Sequence, residues 1–256
     1  MEPLSPRQLD IVALAKAEGR VTVDGLAERF TVTPQTIRKD LNELCEQGVL
    51  SRFHGGALPR SGVANFAYEA RRQLAPDAKR AIGEAAAAIV PEGASLLINI
   101  GTTTEQVATA LRGRDGLMVI TNNINVANIL QGYKTIEVIV AGGVLRHSDG
   151  GIVGEAAVDF IRQFKVDFAI IGASAIDSDG SLLDYDYREV KVAKTIISSA
   201  RTSILVADAM KFDRTAPVRI GHLSQLDHFV TETAPPPSIR QICTDHGVEL
   251  HLAATE

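Results

Sequence analysis

The sequence predicts two domains, a small and mainly helical one followed by a larger α/β domain with a largely parallel sheet. Three observations support this division. The first sixty residues hold three short helical patterns separated by turn residues. Residues 59–64 then interrupt the periodicity. From Lys79 onward, short apolar runs alternate with helical stretches, which is typical of a parallel sheet covered by helices. We expect domains over residues 1–58 and 75–253, joined by a linker over 59–74.

Length and composition favour an ordinary globular protein. The chain has 256 residues, 45% of them hydrophobic, and a net charge of −5. Its apolar stretches are far shorter than the ~20 residues of a membrane helix. Acidic Glu2 and Asp10 stand where a signal peptide is basic, so we expect a cytoplasmic protein. The two cysteines, Cys45 and Cys243, are too few for a disulfide framework or a four-thiolate zinc site.

The first two helices are predicted from capping and spacing. Ser5 and Pro6 are typical of a helix start, and Leu9, Val12 and Leu14 follow as the expected apolar positions. After the β-branched stretch 20–23, a second, brief helix is expected to turn Leu26, Ala27 and Phe30 inward. Thr31, Val32 and Thr33 then form the predicted turn.

The third helix carries the residues of most interest. Thr33 is the expected N-cap with Pro34 at the first helical position, while Ile37, Leu41 and Leu44 form the inner face. The outer face is polar and consists of Gln35, Thr36, Arg38, Lys39 and Asn42. Arginine reads guanine, and glutamine or asparagine reads adenine, so this face suits the major groove of DNA. The alternative is an ordinary solvated helix face.

A basic hairpin is predicted directly after this helix. Residues 49–57 combine a short β pattern with Arg52, His54 and two glycines, which suits a wing that lies along phosphates. The local charge supports this reading. Residues 1–60 are neutral overall, with eight basic and eight acidic side chains, whereas the rest of the chain carries the whole excess of −5.

The string TVTPQTIRKDLNEL followed by RFHGGA resembles the DNA-binding signature of the DeoR family of bacterial repressors. The resemblance implies a winged helix-turn-helix that binds double-stranded operator DNA. The family usually has serine at Thr33 and a second arginine at Lys39; because lysine lacks the planar fork of arginine, Lys39 is expected to contact phosphate. The expected DNA-binding residues are Thr33, Gln35, Thr36, Arg38, Lys39, Asn42, Arg52 and His54.

Seven strands are predicted in the larger domain, over Leu96–Ile100, Met118–Thr121, Ile136–Ala141, Phe168–Ile171, Ser203–Ala207, His228–Thr231 and Val248–Leu252. Ligands of such sheets bind at the carboxyl ends of the strands. The first strand leads into Gly101, Thr102, Thr103 and Thr104 just before a helical stretch, an arrangement that suits a phosphate. The same four residues also suit a plain helix cap.

Other loops at this edge carry candidate ligand residues. Asn122 follows the second strand, Gly142 the third, and Lys211 comes after the fifth. Lys211 is placed to neutralise a phosphate, or else to pair with Asp208 or Asp213. The spaced aspartates of 177–184 lack the ligand order of a calcium loop, and the six histidines offer no helical pair for zinc, so no metal site is expected. No Walker loop or nucleophile elbow is present either.

The resemblance to the DeoR family extends over almost the whole chain through TNNINVAN, AGGVLRHSDGGIVGEA, DFAIIGASAIDSDGSLLDYDYREV and ADAMKF. These segments are similar to those of family members that respond to glycerol 3-phosphate. The resemblance implies a sensor domain similar to ribose-5-phosphate isomerase, this phosphorylated polyol as inducer, no cofactor, and a homo-oligomer, either dimer or tetramer. The expected inducer-binding residues are Gly101, Thr102, Thr103, Thr104, Asn122, Gly142, Asp184 and Lys211.

Two other functions stay open at this point. A repressor of the same family that responds to another sugar phosphate, such as fructose 1-phosphate, would have the same architecture. An isomerase-like enzyme would use Asp184 or Glu189 as general base. The fused helix-turn-helix and the absence of a paired-carboxylate spacing favour a regulator over an enzyme.

Overall fold

The computed structural model describes residues 4–18, 20–47, 49–53, 55–59 and 68–254. The chain divides into two compact units, residues 1–74 and 75–256. The elements of the first unit are α1 (Pro6–Glu18), β1 (Val21–Thr22), α2 (Val23–Phe30), α3 (Pro34–Glu46), β2 (Leu50–Phe53), β3 (Gly56–Pro59) and α4 (Tyr68–Gln73). Within the described residues, no helix is long and apolar enough to cross a bilayer.

The three N-terminal helices share one apolar core. Ile37, Leu41 and Leu44 of α3 are fully buried, as predicted. The prediction for Leu9 was wrong, because its side chain is 55% exposed. The inner face of α1 instead runs through Ile11 and Ala15, which are spaced by one helical turn.

The wing is a three-stranded sheet in the order β1-β3-β2, with both pairings antiparallel. Gly55 has a φ of +89°, which favours glycine in the turn. A Cβ on Gly56 would lie 2.1 Å from the carbonyl oxygen of Val21 and 2.7 Å from the ring of Phe53. The two consecutive glycines therefore have separate roles, one in the turn and one in close strand packing.

The second unit is built around twelve strands: β4 (Ser95–Ile98), β5 (Met118–Thr121), β6 (Glu137–Val140), β7 (Val144–Arg146), β8 (Gly151–Val153), β9 (Val166–Ile171), β10 (Ala175–Ile176), β11 (Ser181–Asp184), β12 (Ala200–Val206), β13 (Val218–His222), β14 (His228–Thr231) and β15 (Glu249–Leu252). Its described helices are α5 (Pro76–Ile89), α6 (Thr102–Ala110), α7 (Ile124–Leu130), α8 (Glu155–Ile161), α9 (Tyr187–Ser198) and α10 (Pro237–His246), with short 3₁₀ helices at Leu111–Gly113, Ala209–Lys211 and Leu223–Gln225.

Seven of these strands form one sheet in the order β15-β14-β12-β9-β4-β5-β6, and every pairing in it is parallel. Each of the seven predicted strands lies in this sheet, so the predicted fold class is confirmed. From β4 the chain proceeds outward to β5 and β6, and then returns to β9 on the other side of β4. The strand order reverses between β4 and β9, which is where open α/β sheets bind ligands.

Both faces of the sheet are covered. Leu97, Leu205 and Phe229 point into one apolar cluster, while Leu96 and Ile204 point into the other. Alternate residues of each strand therefore reach opposite layers. Two smaller sheets, β7-β8 and β10-β11-β13, lie in segments where no strand was predicted from the sequence.

Candidate functional site

The first candidate site is the helix-turn-helix of the N-terminal unit. The turn between α2 and α3 is closed by Thr31, which has φ and ψ of 53° and 46°. Its backbone N–H donates to the carbonyl oxygens of Ala27 and Glu28. A left-handed residue after the last helical turn is a common helix terminator. The turn is thus fixed by backbone hydrogen bonds and sets the direction in which α3 leaves it.

The N-terminus of α3 is capped as predicted. Thr33 Oγ1 accepts a hydrogen bond from the backbone N–H of Thr36 at 3.2 Å and lies 2.9 Å from the Thr36 hydroxyl. The hydroxyl of Thr33 is therefore engaged in capping. The exposed side chains of the outer face are those of Gln35, Arg38, Lys39 and Asn42. These four are accessible to a partner, and Thr36 is half-buried beside them.

Arg52 connects the wing to α3. Its guanidinium donates to the carbonyl oxygen of Arg38 at 3.2 Å and to Oδ1 of Asn42. Lys39 is weakly paired, with its Nζ 3.9 Å from Oε1 of Glu43. The structure therefore gives Arg52 a positioning contact in addition to its exposed charge. His54, the other basic residue expected in the wing, lies outside the described residues.

Two polar pairs that the sequence analysis missed join α1 to α3. Arg7 binds the buried carboxylate of Asp40 with both Nε, at 2.6 Å, and Nη2, at 3.2 Å. The hydrogen bond that Arg7 donates to Asp40 raises the pKa of Arg7 above its ordinary value. Gln8 Nε2 donates to Glu43 Oε2 at 2.7 Å. These contacts fix the position of α3 relative to α1.

The second candidate site lies at the carboxyl edge of the large sheet, where the strand order reverses. β4 ends at Ile98, two residues earlier than predicted, and α6 begins at Thr102. Gly101 precedes α6 with a φ of +146°, a conformation that favours glycine. Thr102, Thr103 and Thr104 therefore form the first turn of α6, with their backbone N–H groups at the positive end of the helix.

The side chain of Thr104 holds the loop that precedes α6. The hydroxyl of Thr104 is fully buried and donates to the carbonyl oxygens of Asn99 and Gly101, both at 2.8 Å. It fixes the bend between β4 and α6. A Cβ on Gly172, at the end of β9, would lie 3.9 Å from the Cγ2 of Thr104. The ends of β4 and β9 therefore meet at this threonine.

Three buried oxygens at this edge have no hydrogen-bond partner among the described residues. They are Oδ1 of Asn99, of Asn122 and of Asp208, which follow β4, β5 and β12. The remaining groups of Asn122 are used, because its Nδ2 donates to the carbonyl oxygen of Ile152 at 3.1 Å. Each unpaired buried acceptor costs about 1–3 kcal/mol, so the edge is suited to a molecule that brings donors. Asn99 and Asp208 were not among the predicted site residues.

The other predicted residues are spread more widely. Gly142 follows β6, next to the end of β5, and is exposed. Lys211 is half-buried at the end of the 3₁₀ helix that follows β12. Asp184 ends β11 in the small sheet, where it accepts from Ser174 Oγ at 2.9 Å and from the backbone N–H of Tyr185 at 2.6 Å. Gly101–Thr104 and Asn122 thus lie at neighbouring strand ends, whereas Asp184 belongs to another sheet.

A buried ionic cluster lies between the β7-β8 hairpin and α9. Arg146 donates to both carboxylate oxygens of Asp149, at 2.9 and 2.7 Å, to Asp186 at 3.1 Å, and to Glu189. Burial, followed by the charge of Asp184, raises the pKa of Glu189 to about 8 against the pull of Arg146. The pKa of Asp186 is lowered to about 2: burial opposes this shift, but the hydrogen bonds from Arg188 and Arg146 outweigh it.

Known protein families match both units of the chain. A model described as a DeoR-like helix-turn-helix domain matches residues 7–61, and the DeoR C terminal sensor domain matches residues 75–233. The chain is 46% identical over 246 residues to the glycerol-3-phosphate regulon repressor of Escherichia coli K12, covering 96% of this chain and 98% of that protein.

Solved structures show similar folds at low sequence identity. The translation initiation factor eIF-2B of Pyrococcus horikoshii matches with a TM-score of 0.50 and 19% identity, over 82% of this chain and 81% of that one. Ribose 5-phosphate isomerase A of Methanocaldococcus jannaschii matches with a TM-score of 0.41 and 15% identity, over 54% of each chain.

Both domain matches, their order along the chain and the identity over nearly the whole length agree with the geometry of the two sites. The N-terminal unit is a winged helix-turn-helix with an exposed polar face on α3. The second unit is an α/β domain with a parallel sheet whose strand order reverses, and ligands of such sheets bind at the carboxyl ends of the strands. The chain belongs to the DeoR family of transcriptional regulators.

Proposed function

We propose that this protein represses genes of glycerol and glycerol-3-phosphate metabolism and leaves its operator when it binds glycerol 3-phosphate. The observation that carries the proposal is the 46% identity, over 96% of the chain, to a repressor named for that regulon. In this proposal the protein is cytoplasmic and needs no cofactor. It is a homo-oligomer in which two helix-turn-helix domains contact the two half-sites of the operator.

Operator recognition is assigned to the exposed face of α3. Arg38 is the main base-reading residue, supported by Gln35 and Asn42, because its guanidinium is free to form a bidentate contact with guanine. Lys39 contacts phosphate as a point charge. Arg52 has two roles, since it joins the wing to α3 and presents positive charge beside it. Thr33 acts through its cap, and His54 keeps its proposed phosphate contact.

The inducer is assigned to the carboxyl edge of the large sheet. The phosphate would accept hydrogen bonds from the N–H groups of Thr102 and Thr103 at the start of α6 and from the side-chain hydroxyl of Thr103, with Lys211 as the neutralising cation. The hydroxyl groups of a polyol are donors, and they would satisfy the oxygens of Asn99, Asn122 and Asp208 that lack partners among the described residues. A phosphorylated polyol therefore supplies both kinds of group that this edge lacks.

The other predicted inducer-binding residues do not contact the phosphate in this proposal. Gly142 borders the site without a side chain, and Asp184 supports the neighbouring loop through Ser174. Asp184 and Glu189, the two candidate bases of an enzyme, are both buried and hydrogen-bonded within the protein. The proposal therefore assigns them to structure and gives the protein no catalytic activity.

Repression and release follow from linkage. A ligand that binds more tightly to the DNA-free arrangement lowers the affinity for DNA by its differential affinity, typically about 1–3 kcal/mol of coupling, or 5- to 150-fold. We expect glycerol 3-phosphate to release the full-length protein from DNA taken from upstream of its own gene. Fructose 1-phosphate and ribose 5-phosphate are tested beside it as alternative inducers of the same chemical class. Fluorescence anisotropy of labelled DNA at fixed salt measures the release.

Thr103→Ala tests the position of the phosphate. Loss of a donor to a charged oxygen costs ~1.5–3 kcal/mol, so the affinity for inducer should fall about 10- to 100-fold while DNA binding stays unchanged. Thr109→Ala, also on α6 but bonded to the carbonyl oxygen of Glu105, is the matched control. Gly101→Val should block the inducer as well, although it also strains the backbone at a φ of +146°.

Three outcomes would count against this assignment. Release by fructose 1-phosphate in preference to glycerol 3-phosphate would make the protein a sibling repressor tuned to another sugar phosphate. Wild-type inducer affinity in Thr103→Ala would place the phosphate elsewhere. Loss of DNA binding in that variant without any inducer would mean that the first turn of α6 is only structural.

A further inference from the structure

Two histidines and a glutamate come together at the outer edge of the large sheet, on two strands that are neighbours in space. His228 is the first residue of β14, and Glu249 is the first residue of β15. The parallel register pairs them directly, and His251 follows two residues after Glu249. Because residues two apart in a strand share a face, all three side chains lie on the same side of the sheet.

The atoms of these residues that can coordinate a metal ion are close together. His228 Nδ1 lies 3.1 Å from His251 Nε2 and 3.3 Å from Glu249 Oε2, and His251 Nε2 lies 3.8 Å from Glu249 Oε1. A tetrahedral zinc ion with bonds of about 2.0–2.1 Å holds its ligand atoms about 3.3–3.4 Å apart. The separations of His228 Nδ1 from His251 Nε2 and from Glu249 Oε2 match this spacing, and one ligand atom from each of the three residues lies within 4.8 Å of the other two.

We propose that His228, Glu249 and His251 form a site for a divalent transition-metal ion, with zinc as the best-matched ion. Imidazole and carboxylate together suit zinc, cobalt, nickel and copper, and they exclude the oxygen-only chemistry of magnesium and calcium. Three protein ligands leave a fourth position for water.

The site is accessible yet preformed. The side chains of His228 and His251 are 18% and 27% exposed, while that of Glu249 is 65% exposed. The two histidines are held by neighbouring strands, so little ordering is needed on binding. At 3.1 Å the two ring nitrogens require a shared proton between them, and a metal ion takes the place of that proton.

The position of the site gives it a consequence distinct from inducer binding. His228 and Glu249 open their strands, so the site lies toward the amino end of the sheet, whereas the proposed inducer site lies at the carboxyl end. A bound ion would fasten the edge strand β15 to β14. Neither the site nor its test depends on the proposed repressor function.

Cobalt is a sensitive probe of this geometry, because tetrahedral Co²⁺ gives intense visible absorption and octahedral Co²⁺ does not. Full-length, tag-free protein is dialysed against chelator and titrated with CoCl₂, and then with ZnCl₂ in competition. We expect one equivalent of tetrahedral cobalt that zinc displaces. His251→Gln and Glu249→Gln should each weaken binding at least tenfold, whereas His147→Gln, at an exposed histidine elsewhere, should bind as the wild type does.

Thermal melting provides a second readout. At a hundredfold excess over its dissociation constant, zinc should raise the melting temperature of the wild type by roughly 5–10 °C, with no shift in His251→Gln. Matching melting curves of wild type and variant without metal would show that the substitution leaves the fold intact. Absence of saturable tetrahedral cobalt in the wild type, or equal affinity in wild type and His251→Gln, would overturn the proposal.

Discussion

Replacing Glu189 by glutamine should remove most of the dependence of the sensor unit's stability on pH between 6 and 8. The carboxyl groups of Asp149, Asp186 and Glu189 bind the half-buried guanidinium of Arg146, and the charge of Asp184 acts on Glu189. Burial and the charge of Asp184 raise the pKa of Glu189 to about 8. The ordinary pKa of glutamate is about 4.3, so the folded state binds this proton more tightly than the unfolded state does.

The sign and size follow from linkage. A carboxyl group with a raised pKa in the folded state contributes stability below its unfolded pKa, and that contribution disappears as the pH rises through about 8. Integration between pH 6 and pH 8 gives a loss of about 2 kcal/mol in the free energy of unfolding. Asp186, with its pKa lowered to about 2, acts in the opposite direction and only at pH below about 4, outside this window.

Urea unfolding followed by circular dichroism at several pH values tests the prediction. Of the two units, the one spanning residues 75–256 is expected to give the transition with the larger m-value. Glu189→Gln keeps an acceptor for Arg146 without a titrating group, so its stability should be nearly flat from pH 6 to 8. Glu137→Gln, at an exposed glutamate, is the control and should keep the wild-type slope. A flat profile in the wild type would show that Arg146 keeps Glu189 ionised and would refute the reasoning.

Four further predictions concern the N-terminal unit. Arg38→Ala should weaken binding to specific DNA by ~1–3 kcal/mol and relax discrimination at one base pair. Lys39→Ala should weaken specific and non-specific binding alike and reduce the slope of log affinity against log salt concentration by about one. Unchanged affinities at fixed salt would contradict both predictions. Leu41→Ala, at a fully buried position, should lower the stability of this unit by ~2–5 kcal/mol in a urea melt. Gly56→Ala should disrupt the wing and lower the stability of the N-terminal unit in a urea melt, because its Cβ would lie 2.1 Å from a carbonyl oxygen. Gly113→Ala, in the second unit and with open space around its Cβ, should leave the stability of that unit unchanged.

Local signals in the sequence predicted what local physics decides. The caps at Ser5 and Thr33, the prolines that follow them, and the spacing of Ile37 and Leu41 depend on residues within one or two turns, and the structure confirms these elements. Leu9 shows the limit of such reasoning. Several apolar residues in α1 compete for one narrow inner face, and only packing against the other helices selects Ile11 and Ala15.

Residues that depend on distant partners were not predictable in this way. Asp40 is a polar residue in an amphipathic pattern, and its burial depends on Arg7, 33 positions away. His228 and His251 share no helical spacing, so the sequence alone predicts no metal site, and the proposed site depends on contacts between two strands. The parallel register of two strands brings them together. Strand register sets such a site, and it is not visible in residue spacing.

Asn99 was hidden by a different effect, and it yields a last prediction. It stands between Ile98 and Ile100, so its apolar neighbours extended the predicted strand across the bend. Its Oδ1 is buried without a partner among the described residues, which costs about 1–3 kcal/mol in the unliganded protein. Asn99→Leu removes that cost and keeps the branching and the number of side-chain heavy atoms, so the variant should resist urea at least as well as the wild type. If the oxygen binds a hydroxyl group of the inducer, the same variant should bind operator normally and respond at least tenfold more weakly to glycerol 3-phosphate. A variant that is destabilised and keeps its response would mean that Asn99 serves only the fold.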